Sequence, residues 1–275
     1  MKRIILIVLT LFTALVAVGC TSEPKITTKE TLVVGMEAGY APFNWTVDEQ
    51  GAYAEAVAIS GQNAYVDGYD VSIAKIIAEE LGMELVIKAV EWDGLILSLV
   101  ESQEIDLIIA GMSPTADRAL TVDFTDEYYQ STHVVVLKMD SIFANATSIN
   151  DFSGAKAVGQ IQTIYDDLIV QLAGSVHENP LSDVPTIITA INQGTYDLTI
   201  LELPVAIAVV ETNPELTYIE FNENNGFDIS YEDSAVAIAL RKGESELLLA
   251  INQILATISS EERENLMADA IARQP

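Results

Sequence analysis

The chemistry open to this sequence begins with one arginine and one glutamate, each placed just beyond a short apolar stretch. Arg118 closes the segment GMSPTADR (111–118), which follows the apolar run 105–110. A guanidinium fork matches a carboxylate with two parallel hydrogen bonds. Ser113 adds a hydroxyl to the same loop, and Gly111 and Ser113 offer backbone groups without side-chain obstruction. Pro114 and Thr115 can start a short helix whose free amides favour an anion. The competing assignment is a surface pair between Arg118 and Asp117 or Asp123. Glu202 directly follows another apolar run, 198–201, and precedes Leu203-Pro204. A carboxylate there can hold an ammonium, or it can simply complement the positive end of a following helix. Tyr40, Phe43, Trp45 and Trp92 flank strand ends, where aromatic rings suit the aliphatic or cationic part of a ligand. Core packing is their ordinary alternative, and Phe43 is expected to take it.

Other chemistries find less support. Ser72-Ile73-Ala74-Lys75 fits S-x-x-K, but neither S-D-N nor K-T-G accompanies it. His133 and His177 lie in different contexts, and His133 abuts the apolar run 134–137, which favours a structural role. With no H-E-x-x-H, no paired cysteine and no glycine-rich phosphate loop, no metal or nucleotide cofactor is expected. A formal charge of −28 opposes nucleic-acid binding and suits a soluble protein outside the cell. A hydrophobic content of 50% argues for a folded chain despite that charge.

The elements that must position these residues follow an N-terminal address. Lys2 and Arg3 precede an apolar stretch over 4–18, interrupted by Thr10 and Thr13. It falls short of the roughly 20 residues a membrane span needs and fits a signal peptide over 1–19. Ala17-Val18-Gly19-Cys20 resembles the bacterial lipobox, which implies cleavage before Cys20 and acylation of its thiol. The plain alternative is an ordinary signal peptide with an incidental cysteine. Loss of Lys2 and Arg3 takes the charge from −28 to −30. Residues 20–30 read as a polar linker.

Beyond it, hydrophobic patterning predicts alternating strands and helices. A strand over 31–34 ends at Gly35, and 46–67 forms a hairpin or loop insertion. A helix follows, with Asp70 as cap, Ile73, Ile76, Ile77 and Leu81 as stripe, and Gly82 as stop. A strand over 84–90, a helix from Asp93 to Val100 and a strand over 105–110 complete the first half. The same grammar returns with a strand over 155–159, helices over 163–173 and 187–193, and a strand over 198–201. Two helices end the chain, Ser259 and Glu262 offering a capping box to the last. ESQEIDLIIAG (101–111) and NQGTYDLTILE (192–202) repeat one pattern of helix end, turn, Asp106 or Asp197, and apolar strand. An α/β fold of two similar lobes, each with its own sheet, is therefore expected. Ligands of open α/β sheets lie beyond the carboxyl ends of strands. That rule singles out 37–40, 91–93, 111–118, 160–164 and Glu202.

LVVGMEAGYAPFNW (32–45), GYDVSIAKIIAEELG (68–82) and EWDGLILSLVESQEIDLIIAGMSPTADRALTVDFTDEYY (91–129) resemble the solute-binding proteins of polar amino-acid ABC importers. AVGQIQTIYDDL (157–168) and YDLTILELPVA (196–206) extend the likeness over most of the chain after residue 30. The resemblance implies an α/β, two-lobed, type II periplasmic-binding-protein-like fold whose lobes are joined by two crossing segments, near Ser131 and Ser234. Lobe 1 would hold 31–131 plus 234–275, and lobe 2 would hold 132–233. It implies that Arg118 and Ser113 grip a carboxylate. The Gly111 carbonyl and Glu202, at a position more often Asp, would hold an α-amino group. Tyr40 and Trp92 would stack on the ligand, and Glu37 would select its side chain. Thr163 and Ile164 would contribute from a lobe-two loop in which Gln162 replaces the usual glycine. It implies a monomer, extracytoplasmic and lipid-anchored in the cell envelope, that passes an amino acid to a membrane permease without a cofactor. Glu37 and Glu202 would repel an acidic side chain, so a cationic or neutral polar amino acid is expected. The alternatives on the same fold are a dehydratase of prephenate-like acids and a ligand-sensing receptor domain.

Overall fold

The computed structural model describes residues 29–49, 55–222 and 224–274. The segment expected to be a signal peptide and Cys20, the expected acylation site, lie outside the described residues. Strand β1 (Thr31–Met36) runs on through Gly35, because this glycine serves packing and does not stop the strand. A Cβ there would stand 2.4 Å from the Ile105 side chain. Strands β2 (Gly39–Tyr40), β3 (Asn44–Val47), β4 (Val57–Ala58) and β5 (Tyr65–Asp67) build a small sheet in the order β2-β3-β5-β4. The described ends of the 46–67 segment pair antiparallel as β3 and β5.

Helix α1 (Tyr69–Leu81) buries Ile73, Ala74, Ile77 and Ala78 and closes on Gly82 at φ 65. Its N-cap is Gly68, and Asp70, expected to cap it, turns into the core. Strand β6 (Glu84–Ala89) pairs in parallel with β1. The helix expected from Asp93 is divided into a 3-10 turn, Trp92–Gly94, and α2 (Leu95–Val100), with Gly94 as the second N-cap. Strand β7 (Leu107–Ile108), helix α3 (Ala116–Ala119) and strand β8 (Val122–Gln130) follow.

The chain then enters a second sheet with β9 (His133–Lys138), β10 (Lys156–Ala157), helix α4 (Ile164–Leu168) and β11 (Val176–His177). Helix α5 (Val184–Asn192) begins earlier than its apolar period suggested, because Asp183 caps it and Pro185 fits its first turn. Strand β12 (Leu198–Glu202), helix α6 (Leu203–Thr212) and strand β13 (Leu216–Ile219) complete the unit. Helix α7 (Tyr231–Ser234) and strand β14 (Ala235–Arg241) return to the first sheet, and helices α8 (Ser245–Leu255) and α9 (Ser260–Arg273) pack last. The Ser259 hydroxyl accepts the Glu262 amide and caps α9.

The two large sheets share one plan. Their orders are β6-β1-β7-β14-β8 and β11-β10-β12-β9-β13. In each, three parallel strands adjoin an antiparallel fourth, and that fourth strand, β14 or β9, arrives from the other sheet. Asp106 and Asp197 do the same work in both. Asp106 accepts the Val33 amide at 3.1 Å, pinning β1, and Asp197 accepts the Lys156 amide at 2.8 Å, pinning β10. The fold is thus two-lobed α/β. The two connections lie side by side, with the Ser131 amide donating to the Ser234 carbonyl at 3.0 Å. Among the described residues no helix is long and apolar enough to cross a membrane.

Candidate functional site

One buried carboxylate anchors two loops of the first lobe. Asp70 accepts hydrogen bonds from the Tyr128 hydroxyl at 2.6 Å and from Asn44 Nδ2 at 2.8 Å. Asn44 Oδ1 accepts the Ala38 amide at 2.7 Å, and the Tyr128 oxygen accepts the Gly111 amide at 3.3 Å. The 37–40 loop and the 111–118 loop therefore share an anchor. Burial raises the Asp70 carboxyl to about 6, against the lowering effect of its hydrogen bonds. Gly111 sits at φ +62, where a Cβ would come 3.0 Å from the Tyr40 ring. Its bareness lets Tyr40 lie against the loop. Tyr40 in turn stacks on Phe43 at 5.7 Å, and Phe43 is wholly buried, as core.

Arg118 leaves this lobe toward the other. Thr115 caps the short helix α3 by accepting the Arg118 amide. Arg118 Nη1 donates to the Ser113 carbonyl at 2.8 Å, and Nη2 donates to the Gln162 carbonyl, across the cleft, at 2.9 Å. Its guanidinium lies 5.1 Å from the Trp92 ring centroid, and Trp92 Nε1 donates to the same Gln162 carbonyl at 3.4 Å. The surface alternative is not adopted. Asp123 pairs instead with Lys242 and the Gly243 amide, and among the described residues no carboxylate forms an ion pair with Arg118. Desolvation pulls the Arg118 guanidinium below its ordinary range, opposed by Tyr165, Asp167 and Asp233. Ser113 is buried, and its hydroxyl donates to the Asp233 carbonyl at 3.4 Å.

Gln162 presents its carbonyl from a left-handed backbone, φ +59. A side chain disfavours that region, which explains why a glycine is the easier residue at this turn. Ala38, in the facing loop, also has φ +59, so two of the three non-glycine residues with positive φ among the described residues flank the cleft, Gln103 being the third.

Glu202 ends β12 and is the N-cap of α6, yet its side chain makes no capping bond. The residue is 2% exposed. Oε1 accepts from the Tyr40 hydroxyl of the first lobe at 2.8 Å, and Oε2 accepts from the Tyr165 hydroxyl of the second. Burial raises the Glu202 carboxyl to about 7, the two phenols opposing and Asp70 assisting. His133 faces Glu202 across the β9–β12 ladder, with its ring 5.4 Å from that of Tyr165. Neither His133 ring nitrogen has a hydrogen-bond partner, and burial lowers its pKa to about 4, so it is neutral.

Glu37 is bridged across the cleft as well, accepting from Gln160 Nε2 at 3.0 Å. Desolvation raises its carboxyl to about 7, with Asp183 and Glu91 adding to the rise. Thr163 donates its hydroxyl to the Gln160 carbonyl at 2.8 Å and caps α4 by accepting the Asp166 amide. Ile164 turns its side chain into the second lobe's apolar core, so it can offer only its backbone to the cleft. The structure thus gathers Glu37, Tyr40, Trp92, Gly111, Ser113 and Arg118 on one side and Gln162, Thr163 and Glu202 on the other. Sequence reasoning missed Tyr165, and with it Asn44, Tyr128 and the anchoring role of Asp70. No motif spacing marks them, and only the helical phase set by the Thr163 cap could have aimed Tyr165 at the cleft. Among the described residues no cluster of His, Cys, Asp or Glu is placed to hold a metal ion.

Two α/β lobes joined by paired crossings, with an arginine and a glutamate directed between them, define a cleft-closing protein that binds a small solute. The chain belongs to family 3 of the bacterial extracellular solute-binding proteins, whose model matches residues 32–269. It is 30% identical over 250 residues to the arginine-binding extracellular protein ArtP of Bacillus subtilis, covering 88% of this chain and 86% of ArtP. It is 27% identical over 238 residues to the L-cystine-binding protein TcyJ of Escherichia coli K12, covering 86% of this chain and 80% of TcyJ. Among solved structures, the amino-acid ABC transporter substrate-binding protein AbpA of Streptococcus pneumoniae, bound to L-arginine, superposes with a TM-score of 0.72. That match has 29% identity and covers 89% of this chain and 95% of AbpA.

Proposed function

We propose that this chain captures a polar amino acid, cationic or neutral, outside the cytoplasm and delivers it to the membrane permease of an ABC importer. The observation that carries the reading is the pair of opposed groups, Arg118 reaching from the first lobe and Glu202 buried at the face of the second. Arg118, with Ser113, exchanges its contact with the Gln162 carbonyl for the ligand carboxylate. Glu202 and the Gly111 carbonyl take the ammonium. Tyr40 and Trp92 cover the aliphatic part, Glu37 meets the side chain, and Thr163 with the Ile164 amide closes the site from lobe two. A zwitterion bonded by both lobes favours their closure through its differential affinity. Micromolar capture would correspond to about −8 kcal/mol. No bond in the amino acid is made or broken. The lobes run over 31–131 plus 234–275 and over 132–233, turning about Ser131 and Ser234, and the chain acts as a monomer.

The test is a thermal-shift screen of the twenty amino acids against the mature protein. A ligand of the native state alone raises the melting point by mass action, by about 2.7 kcal/mol of stability at a hundredfold excess over Kd. L-arginine and neutral polar amino acids are expected to shift the transition and L-glutamate is not. A screen in which no amino acid moves the transition removes the reading.

The proposal includes the anchor. Acylation of Cys20 ties the mature chain to the envelope membrane. Cys20→Ser is expected to release the protein into the soluble fraction on cell lysis, and unchanged membrane fractionation would exclude the anchor.

A further inference from the structure

The Glu202 carboxylate is clamped by two phenols, one from each lobe. Tyr40, of β2, bonds Oε1 at 2.8 Å, and Tyr165 bonds Oε2. Tyr165 is 6% exposed and is the second residue of α4, whose start is fixed by the Thr163 cap. Glutamate reaches one methylene further than an aspartate would, and its Oε2 meets the Tyr165 hydroxyl. We propose that Tyr165 is a positioning residue for ammonium recognition, fixing the place of the Glu202 carboxylate and keeping it ionised while the amino acid binds. The inference rests on the reading of Glu202 as the ammonium acceptor.

The physical case is one of satisfied and unsatisfied lone pairs. Each carboxylate oxygen can accept about two hydrogen bonds. Each oxygen of Glu202 accepts one from a phenol, which leaves one site on each for an N–H of the ligand. A carboxylate withdrawn from water is driven toward its neutral form, and donated hydrogen bonds hold it charged. The groups that face Glu202 make the Tyr165 donor hard to replace. Tyr129 of β8 and Asp70 of α1 lie on the first-lobe side, and Asp70 repels the charge. His133 of β9 is neutral, with no hydrogen bond from either ring nitrogen. Arg118 acts on Tyr165 and helps it.

Tyr165→Phe removes the hydroxyl and keeps the ring against His133. The measurement is calorimetric titration with L-arginine from about pH 5.5 to about pH 8.5. In the unmodified chain the affinity weakens on the acid side as Glu202 and Glu37 take up protons, and L-glutamine, whose side chain carries no charge for Glu37 to meet, is titrated beside L-arginine to isolate the Glu202 part. In Tyr165→Phe this acid limb is expected to move up by about one pH unit, the size of effect of losing a hydrogen bond to a charged group. Binding is then about tenfold weaker near pH 6.5 and within about twofold near pH 8.5. An equal loss at every pH marks a merely structural role and overturns the inference.

Glu202→Asp supplies a second, independent reading. The shorter side chain stops short of Tyr165, so adding Tyr165→Phe to it should change nothing further. An equal effect of Tyr165→Phe in both backgrounds again overturns the inference. An unmodified chain with no acid limb, or with no amino-acid binding, removes the underlying role of Glu202 as well. An acid limb present in the unmodified chain and unmoved in Tyr165→Phe removes Tyr165 alone.

Discussion

Arg118→Ala is expected to abolish amino-acid capture at micromolar concentrations while leaving the fold in place. Truncating one partner of a buried, hydrogen-bonded charge pair costs about 3–5 kcal/mol, a loss of roughly two to three and a half orders of magnitude in affinity. The size follows from where the guanidinium sits. Arg118 is directed between the lobes, flanked by Trp92, and bonded to main-chain carbonyls of both lobes. A ligand carboxylate that meets this fork loses a bidentate partner when the fork is gone, and no other cation is arranged to receive it in the loop 111–118. The stability of the free chain should change little, by about 1 kcal/mol, because the carbonyls of Ser113 and Gln162 lose one donor each and water can replace it. Circular dichroism checks the fold and calorimetric titration checks the affinity. Retained micromolar affinity in a folded Arg118→Ala chain would sink the carboxylate-binding assignment.

Glu202→Gln should weaken binding by about a hundredfold or more and, without ligand, stabilise the folded chain near neutral pH. The amide keeps the shape and can still pair with both phenols, but it cannot compensate an ammonium charge. The second effect follows from linkage. The Glu202 carboxyl is raised to about 7 by burial, above the value near 4.3 that glutamate has in an unfolded chain. Between those values the folded state holds more protons than the unfolded state, so stability falls as pH rises through that window. The folded chain gains a proton-dependent contribution in acid and loses it above about pH 7. Its full size is about 3–4 kcal/mol for a shift of this order. Glu37 and Asp70, raised to about 7 and about 6, add losses of the same sign. His133 opposes them, because its pKa falls to about 4 and its contribution grows as pH rises toward 6.5. The difference between the two melting curves isolates Glu202. Parallel melting temperatures from about pH 5 to about pH 8 in both chains would show that this carboxyl is ionised throughout and would overturn the prediction.

Much of the fold was legible because its signals are local. Gly82 stops α1, Thr163 caps α4 and Ser259 caps α9, each through residues no more than five positions away. The repeat carried by Asp106 and Asp197 correctly announced two lobes of one plan, since each aspartate ties its own turn to the neighbouring parallel strand. Where the reading erred, a buried polar group was mistaken for a local one. Asp70 has the type and place of a helix cap, but Gly68 takes that position and Asp70 bonds Asn44 and Tyr128 in the interior. In the sequence, strand β9 shows only as an apolar run beside His133. It is buried on both faces, with Val135 and Leu137 in one core and Val134 and Val136 in the other, so it lacks the alternation that marks a strand.

The sequence by itself determined the alternation of strands and helices, the stops and caps, and the placement of Arg118, Glu202 and Glu37 after apolar runs. Those features depend on residue type and short spacing, which the chain carries from the moment it is made. Only the tertiary structure decided that Glu202 meets Tyr40, 162 residues away, and Tyr165, 37 residues away, and that Gln162 turns its carbonyl toward Arg118. The Glu202–Tyr165 bond is set by α4 packing on β12 within the second lobe, and the other two meetings by how two separately built lobes pack about their paired crossings. A hydrogen bond between them exists only when both lobes are formed and facing, and no local pattern of residues encodes that.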